Sequence, residues 1–118
     1  MDVRLPSKRT RPRSGIERAA KRAWPRHRRY VRSFVCAVPD CGGVSVCCHL
    51  RTAANAGTGL KPADWYTVPL CDNHHAEQEG RTAWFERKYG VDLWALAERL
   101  ARTSPDKTMK EAWRLSGG

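Results

Sequence analysis

Six cysteine and histidine residues carry most of the chemistry that this sequence can perform. They lie in two segments of the chain, at Cys36, Cys41, His49, Cys71, His74 and His75. A structural zinc site needs four such ligands, usually drawn as two close pairs from two separated turns. Cys36 with Cys41, and Cys71 with His74, supply two pairs of this kind. The spacing therefore predicts a structural zinc knuckle, for which Cys47 and Cys48 are alternative ligands.

A second metal site is predicted beside the first. His75 follows His74 directly, and neighbouring helical residues point about 100° apart, so the two histidines can face different sites. Glu79 lies one helical turn after His75 on the same face. A histidine and a carboxylate suit a hydrolytic metal such as Mg²⁺, Mn²⁺ or Zn²⁺, although a helical Glu near a His more often lies on a solvated face. His49 is the candidate general base, because a neutral imidazole can take a proton near neutral pH.

The positive charge of the chain is concentrated at its N-terminal end. The formal net charge is +10, and residues 1–33 contain 12 Lys and Arg against two acidic residues. Residues 34–118 contain ten of each sign. A basic arm suits a polyanion, because each neutralised phosphate releases counterions. DNA is therefore the expected partner, with a solvated tail as the alternative. We expect no membrane association, because the arm lacks a wide apolar face.

The cysteines favour a reducing compartment. Their number, five, is odd, and they alternate with histidines at metal-ligand intervals. No apolar run follows the basic residues as in a secretory signal. These features favour a cytoplasmic protein with a metal site over a disulfide framework.

The periodicity of the apolar residues predicts the elements that position these ligands. Two strands are predicted at 44–50 and 65–70, with Pro69 restricting the second to an edge. Residues 26–35 fit either a helical turn or an entry strand. The later helices are predicted at 73–79, 82–89 and 93–102, followed by a last helix that begins at the cap formed by residues 104–106. The chain thus divides into a basic arm, 1–25, and one zinc-containing domain, 26–118.

Several segments resemble the HNH family of nucleases, which have the ββα-metal fold. They are VRSFVCAVPDC at 31–41, CHLRT at 48–52, GLKPAD at 59–64 and VPLCDNHH at 68–75, and AWFERKYGVD at 83–92 is similar to the family's trailing helical segment. The resemblance covers residues 31–100. It is greatest to small HNH-like proteins of phages and prophages, which implies that this chain is phage-encoded.

The resemblance assigns roles to single residues. His49 matches the family's general base, and His75 matches a ligand of its catalytic metal. Glu79 stands where some members have a further ligand, often a histidine. The residue before the base is commonly Asp or His, whereas here it is Cys48. Tyr66 replaces the family's middle Asn, which orients the base.

Asp64 is the nearest group to that position able to accept a hydrogen bond from the imidazole of His49. The zinc-knuckle pairs of the family match Cys36/Cys41 and Cys71/His74 of this chain.

The sequence therefore predicts an α+β fold: a small zinc-stapled ββα-metal core with a basic N-terminal arm and C-terminal helices. The expected function is a metal-dependent DNA endonuclease. His49 would deprotonate water, and a metal on His75 and Glu79 would stabilise the charge on the reacting phosphate. The candidate contacts to DNA phosphates are Arg26, Arg28, Arg29, Arg32, Arg51 and Lys61. The alternatives are a non-catalytic zinc-dependent DNA-binding module with a vestigial nuclease site, and a structural or protein-interaction domain.

Overall fold

The structure is a computed structural model, and it describes residues 22–51 and 62–117. Over these ranges the chain is a mixed α+β fold with one two-stranded sheet and five helices, which confirms the predicted fold class. In chain order the elements are α1 (Pro25–Arg32), β1 (Val46–His49), β2 (Thr67–Leu70), α2 (Asp72–Gln78), α3 (Thr82–Tyr89), α4 (Leu93–Thr103) and α5 (Lys107–Leu115). The HNH character of the core stays a prediction.

The two strands pair antiparallel, with Cys47 opposite Pro69 and His49 opposite Thr67. Both are shorter than the predicted segments, although the amide of Leu50 still donates to the carbonyl of Tyr66 at 2.8 Å. Pro69 fits because a two-stranded sheet has only edge strands. Its carbonyl accepts instead from the amide of Ala37 at 2.8 Å.

The segment with two alternative predictions forms the helix α1. Pro25 occupies its first turn, where a missing N–H costs nothing. His27 and Val31, one turn apart, are its buried residues, and the helix packs on both strands. A strand would place the exposed Arg29 on the same face as these two side chains, whereas the helix turns it away from them.

The C-terminal helices begin and end at the predicted signals. Gly90 ends α3 in the left-handed conformation, with φ of 65°. The side chain of Asp92 caps α4 by accepting from the amide of Ala95 at 3.0 Å. Asp106 caps α5 in the same way, accepting from the amide of Met109 at 3.0 Å. These caps confirm the predicted helices to within a residue or two.

Two apolar clusters hold the elements together. The first surrounds the sheet and contains Cys36, Val38, Cys48, Leu50, Val68, Leu70, Phe85, Leu93 and Ala97. The second joins the start of α1 to α4 and α5 and contains Trp24, Ala63, Trp65, Ala101, Met109 and Trp113. Trp24, placed by the sequence in the arm, is thus part of the folded core. Within the described ranges, no helix is long and apolar enough to cross a membrane.

Candidate metal centre and adjoining cleft

Four side chains gather their ligand atoms in one place. The atoms belong to Cys36, Cys41, Cys71 and His74, and all lie within 4.8 Å of one another. These are the two pairs that the spacing predicted, so the prediction of a Cys₃His cluster is confirmed. Among the residues that the structure describes, it is the one group of three or more Cys, His, Asp or Glu ligands at this separation.

The distances within the cluster match a tetrahedral metal site. Nδ1 of His74 lies 3.4 Å from Sγ of Cys36 and 3.2 Å from Sγ of Cys71. Sγ of Cys41 lies 3.9 Å from Sγ of Cys71. Zinc–sulfur and zinc–nitrogen bonds of about 2.3 and 2.0 Å place tetrahedral neighbours about 3.5–3.8 Å apart. The cluster therefore suits a small tetrahedral cation such as zinc.

The knuckle turn needs glycine at Gly43 for reasons of space. A Cβ atom there would lie 3.0 Å from Cβ of Cys71 and 3.3 Å from Sγ of Cys41. The amide of Cys36 also donates to the carbonyl of Gly43 at 3.0 Å, which closes the turn. The first pair of ligands can thus approach the second only because this position has no side chain.

The start of α2 favours a thiolate at Cys71. The backbone amide of His74 donates to this sulfur, and it lowers the pKa of the Cys71 thiol. Burial has the opposite effect at Cys36, whose thiol pKa is raised. A helix N-terminus that stabilises negative charge prepares one ligand for the metal before it binds.

A second layer of contacts holds the His74 ring. The ring of Tyr89 meets it edge-on with centroids 5.1 Å apart. The hydroxyl of Tyr89 donates to Glu77, and Glu77 also accepts from Lys88 at 2.5 Å. Metal-bound histidines commonly have their orientation fixed by such outer contacts. Here the support comes from α3, which packs on α2.

Cys47 and Cys48, the alternative ligands, do not belong to the cluster. Neighbouring residues of a strand face opposite ways. Cys48 is fully buried, and its Sγ lies 3.1 Å from Oε1 of Gln78. Burial raises the pKa of Cys48 to about 12, so the group stays a thiol. Cys48 therefore stands where the HNH family commonly has a metal ligand, but its side chain does not face the cleft.

A polar cleft of about 190 Å³ adjoins the cluster, between β1 and α2. One face of the strand supplies Cys47, His49 and Arg51, in the alternating order that the strand requires. The helix and its end supply His75, Gln78, Glu79 and Gly80. His74 thus lies in the cluster while His75 lines the cleft. The structure brings His49, His75 and Glu79 to one cavity.

Asp64 holds the imidazole of His49. Its Oδ1 lies 2.8 Å from Nε2 of His49, and the two side chains are 3% and 13% exposed. Oδ2 accepts from the amide of Trp24 at 2.7 Å and from Nε of Arg28 at 2.8 Å. Burial alone would raise the pKa of Asp64, but the hydrogen bonds from His49, Trp24 and Arg28 hold it well below its usual range.

The charge of Asp64 fixes the tautomer of His49. An ionised carboxylate can only accept, so the proton of a neutral imidazole lies on Nε2. Nδ1 then carries the lone pair, and it makes no hydrogen bond with the described residues. A histidine held in this way can accept a proton from a ligand in the cleft.

The arginines predicted to contact DNA phosphates differ in their surroundings. Arg26, Arg29 and Arg32 are exposed along α1, and Arg51 is exposed at the rim of the cleft. Arg28 differs, because its Nε is bonded to the buried Asp64. Lys61 lies outside the described residues.

Sequence reasoning missed three features near the cleft. They are the link from Arg28 and the Trp24 amide to Asp64, the position of Cys47 on the cleft face, and the bond from Gln78 to Cys48. Strand alternation could have indicated the position of Cys47, because Cys47 and His49 are two residues apart and therefore face the same side of the strand. No local pattern indicates the other two contacts, because their partners lie 30 to 40 residues apart.

Comparison with known proteins gives a family but no function. The sequence profile of a family described as "Protein of unknown function (DUF968)" matches residues 9–105. The chain is similar to the "Uncharacterized protein YdfU" of Escherichia coli strain K12, with 34% identity over 92 residues. That match covers 70% of this chain and 24% of the relative, so the chain spans about a quarter of the relative's length. No solved structure gives a significant match.

Proposed function

The chain belongs to the DUF968 family of proteins of unknown function, and we propose that it is a zinc-containing, metal-dependent DNA endonuclease. One observation carries the proposal. His49, held by the carboxylate of Asp64, shares a cleft with His75 and Glu79. A positioned base in one cavity with two metal-type ligands is an arrangement suited to phosphodiester hydrolysis.

The Cys₃His cluster is proposed to bind zinc for structure. Three sulfurs and one imidazole nitrogen are ligands that zinc prefers, and four protein ligands leave no open position for a substrate. The three cysteines of the cluster are unbridged, as such a ligand set requires, and so are Cys47 and Cys48. Thiols in this state persist in a reducing compartment, so we place the protein in the cytoplasm.

His49 is proposed to act as the general base. Nδ1 takes a proton from the attacking water, and Nε2–H continues to donate to Asp64. The developing imidazolium is stabilised by the neighbouring carboxylate, which stays ionised throughout. Arg28 and the Trp24 amide keep that carboxylate in place, since both donate to its second oxygen.

His75 and Glu79 are proposed to hold the catalytic cation. No third Cys, His, Asp or Glu of the described chain joins them at ligand distance. The pair therefore suits a cation such as Mg²⁺ or Mn²⁺ that keeps several waters and takes substrate oxygens as further ligands. Such a cation would supply charge stabilisation to the reacting phosphate and its leaving oxygen.

The exposed arginines are proposed to bind the DNA backbone. Arg51 lies at the rim of the cleft, close to where the reacting phosphate would lie. Arg26, Arg29 and Arg32 recur about every three residues along α1, which places them on neighbouring parts of its exposed surface. Their guanidinium groups match phosphate oxygens in geometry as well as charge.

A plasmid-cleavage assay tests this function. Supercoiled plasmid is incubated with the zinc-loaded protein and Mg²⁺, Mn²⁺ or Zn²⁺, and nicked and linear products are measured. His49→Ala should lower the cleavage rate by about 10²–10⁴ while zinc content and DNA binding stay nearly unchanged. His75→Ala should abolish cleavage, with partial rescue at raised metal concentration. Glu79→Ala should have a milder effect, and Glu111→Ala, on an exposed helical Glu outside the cleft, should have none.

The same assay separates the enzyme from its main alternative. Cleavage by His49→Ala at the wild-type rate would refute the assignment of the base. If the wild type cuts DNA with none of the three metals, the proposed enzyme function is refuted and the alternative, a non-catalytic zinc-dependent DNA-binding module, replaces it. The burial of Cys48, in the position of a metal ligand of the HNH family, is the observation that favours this alternative.

A further inference from the structure

A second cavity lies between the segment that precedes β2 and the helices α4 and α5. It measures about 380 Å³, and its aromatic lining consists of Trp65, Tyr66, Trp94 and Trp113. Three of the five tryptophans of the chain therefore line one cavity. Aromatic walls of this kind suit a flat, largely apolar ligand.

The rings meet at steep angles and do not stack on one another. The planes of Trp65 and Tyr66 form an angle of 61°, and those of Tyr66 and Trp94 form an angle of 67°. Trp65 and Trp113 are 2% and 8% exposed, so the ring surface that a ligand can contact belongs mainly to the half-buried Tyr66 and Trp94. Lys or Arg groups cover rings elsewhere, at Trp24, Trp84 and Tyr89, but none covers these four in the described part of the chain.

Two residues that line the cavity carry polar groups relevant to a ligand. Trp65 is 2% exposed, and its Nε1–H is buried without a partner among the described residues. A buried donor left unpaired costs free energy, which favours a ligand that carries an acceptor. Glu98 adds an acceptor to the lining, and its charge is offset by Arg102, which donates to Oε1 at 2.7 Å.

We propose that this cavity binds an unpaired nucleobase of the DNA strand that is cut in the cleft. A nucleobase has aromatic faces for the rings, acceptors for an indole N–H and, in most bases, donors for a carboxylate. The near neutrality of the Glu98–Arg102 pair favours such an uncharged ligand over an organic cation. The inference rests on the proposed nuclease function, and it adds the class of substrate.

The backbone places the cavity close to the candidate base. Trp65 and Tyr66 directly follow Asp64, and the carbonyl of Tyr66 accepts from the amide of Leu50, the residue after His49. The cavity and the candidate base are thus positioned by adjoining residues of the same two segments. The preferred substrate is then a single strand, flap or loop, since an intact duplex offers no unpaired base.

Binding measurements on the wild type test this directly. The zinc-loaded full chain is titrated, without added divalent metal, against a labelled single-stranded oligonucleotide and a duplex of equal length. Phosphate contacts weaken for both DNAs as salt rises, whereas stacking persists. The preference for the single strand should therefore grow with salt. Equal affinity for the two DNAs at every salt concentration would overturn the proposal.

Variants of Trp94 then test the cavity itself. Trp94→Leu keeps apolar volume and removes the ring, so single-strand affinity should fall about 5- to 150-fold while duplex affinity stays unchanged. Trp94→Phe should retain most of the affinity. Trp84→Leu, at an exposed tryptophan outside the cavity, is the matched control and should change neither. An unchanged single-strand affinity in Trp94→Leu, or an equal loss for both DNAs, would refute base stacking.

Circular dichroism verifies that each variant is folded. If Trp94→Leu fails to fold, the wild-type comparison of the two DNAs still decides the proposal. Cleavage and base binding can also fail separately. If the protein prefers single strands but cuts no DNA, base binding in the cavity is supported and the nuclease function is refuted. If it cuts DNA without preferring single strands, the nuclease function is supported and base binding is refuted.

Discussion

Replacement of Asp64 by asparagine should disable His49 without removing it. Oδ2 of Asp64 accepts from the Trp24 amide at 2.7 Å and from Arg28 at 2.8 Å, and neither group can accept in return. In Asp64→Asn the side-chain oxygen must therefore turn toward these two donors. The new NH₂ group then faces Nε2 of His49, which becomes an acceptor. The ring proton moves to Nδ1, the nitrogen that the proposed reaction needs free.

The magnitude follows from this change of tautomer. The cleavage rate should fall by about 10²–10⁴, as for loss of a general base. The free energy of unfolding should fall by about 1–3 kcal/mol, because hydrogen bonds to a buried carboxylate become bonds to a neutral amide. Zinc content should not change, since Asp64 is not one of the four clustered ligands.

Single-turnover cleavage and ¹⁵N NMR of the imidazole measure the two consequences independently. Asp92→Asn is the matched control, because Asp and Asn cap helices equally well and this carboxylate caps α4. The variant should keep the wild-type rate and stability. The reasoning is refuted if Asp64→Asn cuts at the wild-type rate, or if His49 in that variant keeps its proton on Nε2.

Three further predictions concern the metal, the pH dependence and the basic segment. Cys71→Ser should release zinc and unfold the protein, because binding free energy is folding free energy at such sites; folded wild type without zinc in elemental analysis would contradict this. Burial lowers the pKa of His27 from 6.5 to about 4, so its contribution to stability is complete above pH 6.5 and is lost as the pH falls to 4. Between pH 6.5 and 4 the wild type should lose about 3 kcal/mol of unfolding free energy that His27→Gln does not lose. The same pH dependence of denaturant unfolding in wild type and variant would count against this prediction. Deletion of residues 1–21 should weaken DNA binding and reduce the slope of log K against log salt by about 0.9 for each phosphate that this segment neutralises, whereas an unchanged slope would show that the segment binds no phosphate.

The α+β class, the caps of the later helices and the four clustered ligands were predictable from the sequence. Each depends on short-range chemistry. Asp92 and Asp106 precede apolar stripes with helical spacing, and a capping carboxylate acts within three residues. The first ligand pair lies on a turn, where Gly43 leaves room for Cys71, and the second pair lies at the start of α2. Local spacing was enough because a tetrahedral metal site restricts both the type and the number of its ligands.

The tertiary structure alone decided how Asp64, the partner of the candidate base, is held, and that Cys47 and Gln78 line the cleft. Asp64 meets Arg28 across 36 residues and the Trp24 amide across 40, and only the packing of α1 on the sheet brings them together. The same packing made residues 26–32 helical, within the segment 26–35 where the sequence allowed a strand as well. The direction of Cys48 and the aromatic cavity around Trp94 also follow from packing. Such contacts leave no periodic signal in the sequence, because each depends on how distant segments bury their apolar faces.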